Sequence, residues 1–265
     1  MARNLEASVA VQKGEFMQSK KHRLLLLNWR DINNPLAGGA EVHIWEIFNR
    51  LAERGWQVDL LCADFPGASV EENIRGIHVF RTSHPALYQW TLPRHYQRLV
   101  RNYKPDLVID FMNKLPLYTP LYVREPLCCF VHHLFGSAAV REMGFLLGGC
   151  IWAYEWPMRW IYRKTPFLTG STSSVEELKG LGLQKVHGVP MSYGVEVEQY
   201  FPGKRASSPT ILYLGRLKQY KGVDHLLSIV PDLRRHFPDL RVEIAGAGDA
   251  LPALRHQAEE LVISD

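Results

Sequence analysis

The stretch "LLLLNWRDINNPLAGGAEVHIWEIFNRLAERG", residues 24–55, decides the fold. Leu24–Trp29 is a short apolar run without alternation, which fits a strand buried on both faces. From Ala40 the period becomes helical, with Val42, Trp45, Phe48 (or Ile47) and Leu51 or Ala52 on one face and Gly55 as the stop. Gly38 and Gly39 lie where the loop turns into that helix. A strand, a glycine turn and a helix in this order begin a crossover between parallel strands. The glycines do not form GxGxxG, so they give no support to a nicotinamide cofactor.

The same unit recurs along the chain. Apolar runs at 57–64, 77–82, 105–112, 127–133, 167–171 and 185–190 read as strands. Helical stretches intervene through 95–104, about 142–164, and from "SSVEEL" onward. Alternation of this kind predicts an α/β fold with a parallel sheet covered on both faces. After Tyr193 the pattern breaks into "GVEVEQYFPGKRASSP", a linker by composition. A second series follows: strand "TILYLGR", helix "VDHLLSIVPDLRRHFP" with Pro231 as a potential kink, strand "LRVEIAGAG" and helix "LPALRHQAEEL". The expected organisation is a loose tail at 1–22, a Rossmann-like domain at 23–194, a linker at 195–208 and a partial second domain at 209–265. That last segment falls short of the roughly 100–150 residues of a typical domain.

Composition narrows the function classes. Of 265 residues, 46% are hydrophobic and 22% charged, which is ordinary for a globular enzyme and excludes a disordered chain. The net charge of +4 suits phosphorylated ligands or an anionic membrane surface, and is too scattered to argue for nucleic acid. The four cysteines (Cys62, Cys128, Cys129, Cys150) have neither metal-ligand nor disulfide-framework spacing, which points to a reducing cytoplasm. No apolar run approaches the roughly 18 residues that a spanning helix needs.

Ligands of an open parallel sheet gather outside the carboxyl ends of its strands, so those ends hold the candidate chemistry. Gly38 and Gly39 put unpaired backbone N–H groups and a helix dipole at the first end. That turn fits an anion site or tight packing alone. "FVHHLFG" carries adjacent histidines, of which one can face the rim and the other can be structural. "STSSVEEL" offers a capping box, Ser173 with Glu176 or Ser174 with Glu177. Trp152, Trp156 and Trp160 are four apart, which fits one helix face, either packed in the core or meeting lipid or a lipid-linked acceptor, with Glu155 a polar residue in their midst. In "YLGRLKQYKG", 213–222, Gly215 lets backbone approach a ligand while Arg216 and Lys221 can clamp phosphates. Gly246 and Gly248 in "IAGAGD" repeat the idea at the next strand end.

"LAGGAE", "VHHLFG", "STSSVEEL", "GRLKQYKGVDHLL" and "VEIAGAGD", in that order, resemble the family-four retaining glycosyltransferases, enzymes of the GT-B fold with two Rossmann-like domains. The resemblance implies that Arg216 and Lys221 bind the diphosphate of a nucleotide-sugar donor. It implies that Gly38 and Gly39 approach the donor and border the acceptor, and that His132 hydrogen-bonds the donor sugar. His133 takes a position often filled by another polar residue, and Glu155 resembles a glutamate of some members. Glu41, Glu155 and Ser173 are the acceptor-side candidates. Fixed cations can stabilise a leaving diphosphate without a metal, and the chain has no D-x-D, so no metal or other cofactor is expected.

The chain departs from the family in one respect. The glutamates seven residues apart that would face the donor are missing, since Glu259, Glu260 and Asp265 are too early and wrongly spaced. The expectation is therefore a transferase truncated within its donor domain, acting on a sugar or lipid-linked acceptor in the cytoplasm or peripherally at the inner face of a membrane. The alternative is a non-catalytic GT-B remnant that binds an acceptor or pairs with a chain supplying the missing half. A third reading keeps the fold and changes the reaction, as in GT-B sugar-nucleotide epimerases.

Overall fold

A computed structural model describes residues 22–113, 115–132, 134, 138–188, 194 and 197–263. The tail read at 1–22 lies, up to residue 21, outside the described residues, as does His133. The chain divides after Gly194 into two compact units.

The first unit is built on an eight-stranded sheet. Its strands are β1 (Arg23–Leu27), β2 (Gln57–Cys62), β3 (Glu71–Ile74), β4 (Ile77–Arg81), β5 (Leu107–Met112), β6 (Leu127–Val131), β7 (Phe167–Thr169) and β8 (Val186–Gly188), in the order β3-β4-β2-β1-β5-β6-β7-β8. Every pairing is parallel except β3 with β4. The helices are α1 (Gly39–Glu53), α2 (Pro85–Asn102), α3 (Ala138–Glu155), α4 (Met158–Ile161) and α5 (Thr172–Gly180).

The leucine run explains the layering. Leu24 and Leu26 face Ile44, Trp45 and Phe48 of α1, whereas Leu25 and Leu27 face Tyr88, Leu92 and Tyr96 of α2. Alternate side chains of one strand thus supply two cores, and a polar residue on either face would be buried. The chain leaves β1 towards β2 on one side and returns to β5 on the other. The sheet order therefore reverses between β1 and β5, where open α/β sheets bind ligands.

Several local expectations are corrected. The buried face of α1 is Glu41, Ile44, Trp45 and Phe48, while Val42 and Ile47 are exposed. Strand β3 was not expected, because "EENI" has no apolar pattern. The hairpin turn that makes it is Arg75–Gly76, both at positive φ, as a two-residue hairpin loop requires. The α5 cap is neither predicted serine: Ser171 accepts from the Ser174 N–H. Helix α3 is broken at Gly144, whose φ is 78°, and ends at Glu155. Trp156 therefore lies beyond it, just before Pro157. The three tryptophans are 50%, 46% and 55% exposed, so they are not core.

The second unit pairs β9 (Thr210–Leu214) and β10 (Arg241–Ala245) in parallel, with α6 (Val223–His236) and α7 (Leu251–Glu260). Its core is Leu217, Val223, Leu227 and Leu254, with Tyr213 and Ile244 against it. Pro231 is accommodated inside a continuous α6. Between the strand series, residues 197–199 form a short 3-10 turn, and the following residues to 209 have no helix or strand.

Candidate functional site

In the first unit the loop leaving β1 is held by side chains. Asn28 is fully buried at the sheet's reversal. It donates to the Arg30 carbonyl (2.7 Å) and accepts from Asn113 at the end of β5 (2.5 Å). Asp31 is buried and takes two bonds from the Arg81 guanidinium, at 2.8 and 3.1 Å. A third nitrogen of Arg81 donates to Glu72 (2.9 Å) and to the Ser69 carbonyl (2.8 Å). The Asn34 side chain accepts from the Leu36 N–H. These bonds fix the backbone that delivers Gly38 and Gly39 to the start of α1.

At that start, Glu41 turns back and accepts from the Gly38 N–H at 2.7 Å. The Glu41 carboxylate is thus occupied in capping, and its assignment as an acceptor-side group finds no exposed carboxylate to rest on. Gly39 has no atom within 4 Å of where a Cβ would stand. Packing does not require glycine there, which leaves open space over the helix N-terminus.

His132 follows β6. Its ring lies 4.8 Å from Phe130 and 6.2 Å from Phe111, and meets His43 of α1 edge-on at 5.1 Å. Burial first, and His43 second, push its pKa down to about 4. His132 is therefore neutral near pH 7 and can donate or accept a hydrogen bond. The sequence reading missed His43; its one signal was its place one turn after Gly39, which puts the two on the same side of the helix.

The other first-unit candidates are more peripheral. Ser173 is exposed and its hydroxyl lies 3.1 Å from that of Ser171. Glu155 is half-buried at the end of α3, in a concavity with Leu134, Trp152, Trp156, Met158 and Arg159.

The second unit builds its loop differently. Gly215 N–H donates to the Ala245 carbonyl (3.0 Å), Leu217 N–H to the Ala247 carbonyl (2.9 Å), and the Tyr213 hydroxyl to the Arg216 carbonyl (3.0 Å). Leu217 plugs the core beneath. A Cβ on Gly246 would stand 1.9 Å from the Gly215 oxygen, and one on Gly248 2.0 Å from the Leu217 oxygen. These two glycines therefore permit loop-on-loop backbone contact, a reason different from the ligand approach expected of them. Gly222, at φ 66°, turns the chain into α6.

Arg216 and Lys221 both stand exposed. Lys221 Nζ lies over the Tyr220 ring at 5.2 Å, and among the described residues the Arg216 guanidinium has no ion pair. Lys218, which the sequence reading passed over, pairs with Asp249 at 2.8 Å and ties the two loops together. Among the described residues no cluster of three His, Cys, Asp or Glu side chains could hold a metal ion.

Comparison with known proteins places these features. Residues 37–199 match the model of "Glycosyltransferase Family 4", and residues 196–265 that of "Glycosyl transferases group 1". Glycogen synthase of Mycobacterium tuberculosis is 23% identical over 273 residues, 90% of this chain and 64% of that protein. The chain thus spans about two thirds of the length of that relative. Sucrose-phosphate synthase from Thermosynechococcus elongatus superposes with a TM-score of 0.71 at 15% identity, over 92% of this chain and 69% of that one. A trehalose-6-phosphate structure from E. coli bound with UDP-2-fluoro glucose gives 0.55 at 14% identity, over 90% and 69%. The fold is that of the GT-B glycosyltransferases.

Proposed function

The chain belongs to Glycosyltransferase Family 4, and on that premise we propose that it moves a sugar from a nucleoside-diphosphate sugar to a sugar or lipid-linked acceptor, with retention at the anomeric carbon. The observation that carries this reading is the Gly215–Gly222 loop, whose backbone is fixed while Arg216 and Lys221 project into solvent. Cations carried on such a loop can close on a diphosphate and stabilise negative charge as it develops. The E. coli protein of the same fold is bound with UDP-2-fluoro glucose, which supports a nucleotide-sugar donor.

Each unit is assigned its own task. In the second, Arg216 and Lys221 hold the diphosphate. As the anomeric C–O bond breaks, its electron pair leaves with the phosphate oxygen, and the two cations offset that charge. In the first, the Gly38–Gly39 turn approaches the donor and neutral His132 hydrogen-bonds its sugar. Neutrality suits that task, because an imidazolium beside a developing oxocarbenium ion would oppose it. The acceptor hydroxyl attacks from the face the diphosphate leaves, and its proton passes to the departing phosphate. No metal is assigned a role. A reducing compartment such as the cytoplasm is proposed, because the spacing of the four cysteines fits no disulfide framework.

Titration of the full chain with UDP-, GDP- and ADP-sugars tests the reading. Charge-assisted hydrogen bonds are worth about 1.5–3 kcal/mol, so Arg216→Ala is expected to weaken the preferred nucleotide about 10- to 100-fold. Unchanged affinity in Arg216→Ala, with no nucleoside diphosphate released from any donor, would sink it.

A further inference from the structure

Helix α3 carries no charged residue from Gly144 to Tyr154, yet much of it faces water. Phe145 is 84% exposed, Leu146 82%, and Leu147 more than half. Consecutive helical residues point about 100° apart, so these three leave more than one side bare. They follow the break at Gly144, and Trp152, Trp156 and Trp160 continue the exposed surface beyond them. A helix apolar on all sides is ordinarily buried, and a contiguous exposed patch of this kind marks a surface that meets something.

The neighbouring charges select the occupant. Between Gly144 and Lys164, Glu155 is the only acidic residue against Arg159, Arg163 and Lys164, and with Glu177 of α5, which lines the concavity beside Arg159, the cations still outnumber the carboxylates. The Arg159 guanidinium lies over Trp156 at 5.3 Å and Trp160 at 5.6 Å. Its Nε is buried and has no hydrogen-bond acceptor. Indoles beside cations at the border of an apolar surface match the headgroup region of a bilayer, where the ring is half in hydrocarbon and the cation meets phosphate. A second copy of the chain fits less well, since a self-facing contact would bring this cationic cluster against its own copy.

We infer that the apolar α3 segment and the Trp156–Arg159–Trp160 cluster dock the protein on an anionic phospholipid bilayer. Phe145, Leu146 and Leu147 enter the acyl boundary, and Arg159 takes a lipid phosphate. The anchorage is interfacial, because no helix among the described residues is long and apolar enough to cross a membrane. The inference stands apart from the transferase reading, since none of its residues belongs to the proposed donor contacts.

The full chain is sedimented with vesicles of phosphatidylcholine alone and of phosphatidylcholine mixed with phosphatidylglycerol, and its mass in solution is measured in parallel. Binding to the mixed vesicles is expected, weakening with salt. Phe145→Ser with Leu146→Ser should reduce it at least about tenfold, since burying one large apolar side chain is worth about 1.5–3 kcal/mol. Both positions are exposed, so circular dichroism of the variant should match the parent. Arg159→Gln should lower binding to the mixed vesicles and leave any binding to neutral ones unchanged. Equal binding by the serine variant, or no binding to either vesicle, overturns the inference. A dimer that the serine substitutions dissociate also overturns it, by assigning the surface to a second copy. Nucleotide affinity should be the same in both variants, which separates this result from the fate of the transferase reading.

Discussion

The glycine-bearing loops of the two units solve one problem in opposite ways. Each must hold a backbone rigid at the carboxyl end of a strand. In the first unit, charged and amide side chains do this: Asp31 is clamped by Arg81, Asn28 by Asn113, and Glu41 closes on the Gly38 N–H. In the second, backbone grips backbone, with Gly246 and Gly248 allowing the contact, and Arg216 and Lys221 stay in solvent. Charge used inside a structure cannot also bind a ligand. The first loop therefore has the open space at Gly39 and a neutral histidine to offer, and the second has exposed cations on a fixed backbone.

The largest way to break this contrast is to open the first clamp. Arg81→Ala leaves Asp31 buried with no cation, and stranding one partner of a buried ion pair costs about 3–5 kcal/mol. Urea unfolding of the full chain is expected to show that loss. A change below about 1 kcal/mol would mean that water or the glycine loop rearranges to take the place of the guanidinium.

Asp110 tests how far buried charge is tolerated in the first unit. It is fully buried on β5 and accepts from Thr119 (2.6 Å) and Tyr162 (3.0 Å). Burial, only partly countered by these two bonds, pushes its pKa up from the ordinary 3.8 to about 6. The folded state therefore holds its proton more tightly than the unfolded chain does. The resulting stabilisation is complete below the unfolded value and is lost as pH rises towards 6. Measured against Asp110→Asn, wild-type stability should fall by roughly 2–3 kcal/mol between pH 4 and 7. A difference that stays flat with pH would show that the carboxyl titrates normally.

Glycine substitution sharpens the comparison from the other side. In Gly246→Ala the new methyl meets the Gly215 carbonyl, and backbone cannot yield as a side chain tip can. A loss of about 1–3 kcal/mol is expected. Gly39→Ala meets nothing within 4 Å and begins a helix, so thermal unfolding should be unchanged or slightly raised. If both behaved alike, the steric distinction between the loops would fail.

The contrast was only partly legible in the sequence. A run of four leucines before a glycine turn can hardly be other than a doubly buried strand, and the alternation that follows dictates a parallel sheet. The loop that carries Arg216 and Lys221 was legible because two glycines bracket it at a strand end. The Asp31–Arg81 clamp was not, because its partners are fifty residues apart and neither sits in a local pattern. The cap of α5 was misplaced because Ser171, Ser173 and Ser174 all offer hydroxyls, and only the backbone angles select Ser171. Spacing of four put the tryptophans on one helix face, but Pro157 ends the helix between them, and spacing says nothing about whether a face is covered. The reason for glycine at 246 and 248 was also invisible, since the carbonyls they meet belong to another loop.

The smallest expected effect concerns Lys218 and Asp249, the one ion pair between the second unit's loops among the described residues. Asp249 is well exposed and Lys218 partly so, and the hydrogen bond from Lys218 holds the Asp249 pKa below its ordinary value. In water such a pair is screened, and ordering two side chains offsets most of its attraction. Lys218→Ala should therefore leave the unfolding midpoint within error at both low and high salt. Backbone bonds at 215 and 217, together with Leu217 in the core, already hold the loop, so nucleotide affinity should change far less than in Arg216→Ala. A clear drop in either quantity would mean that the second loop also depends on internally paired charge, and the division between the units would dissolve.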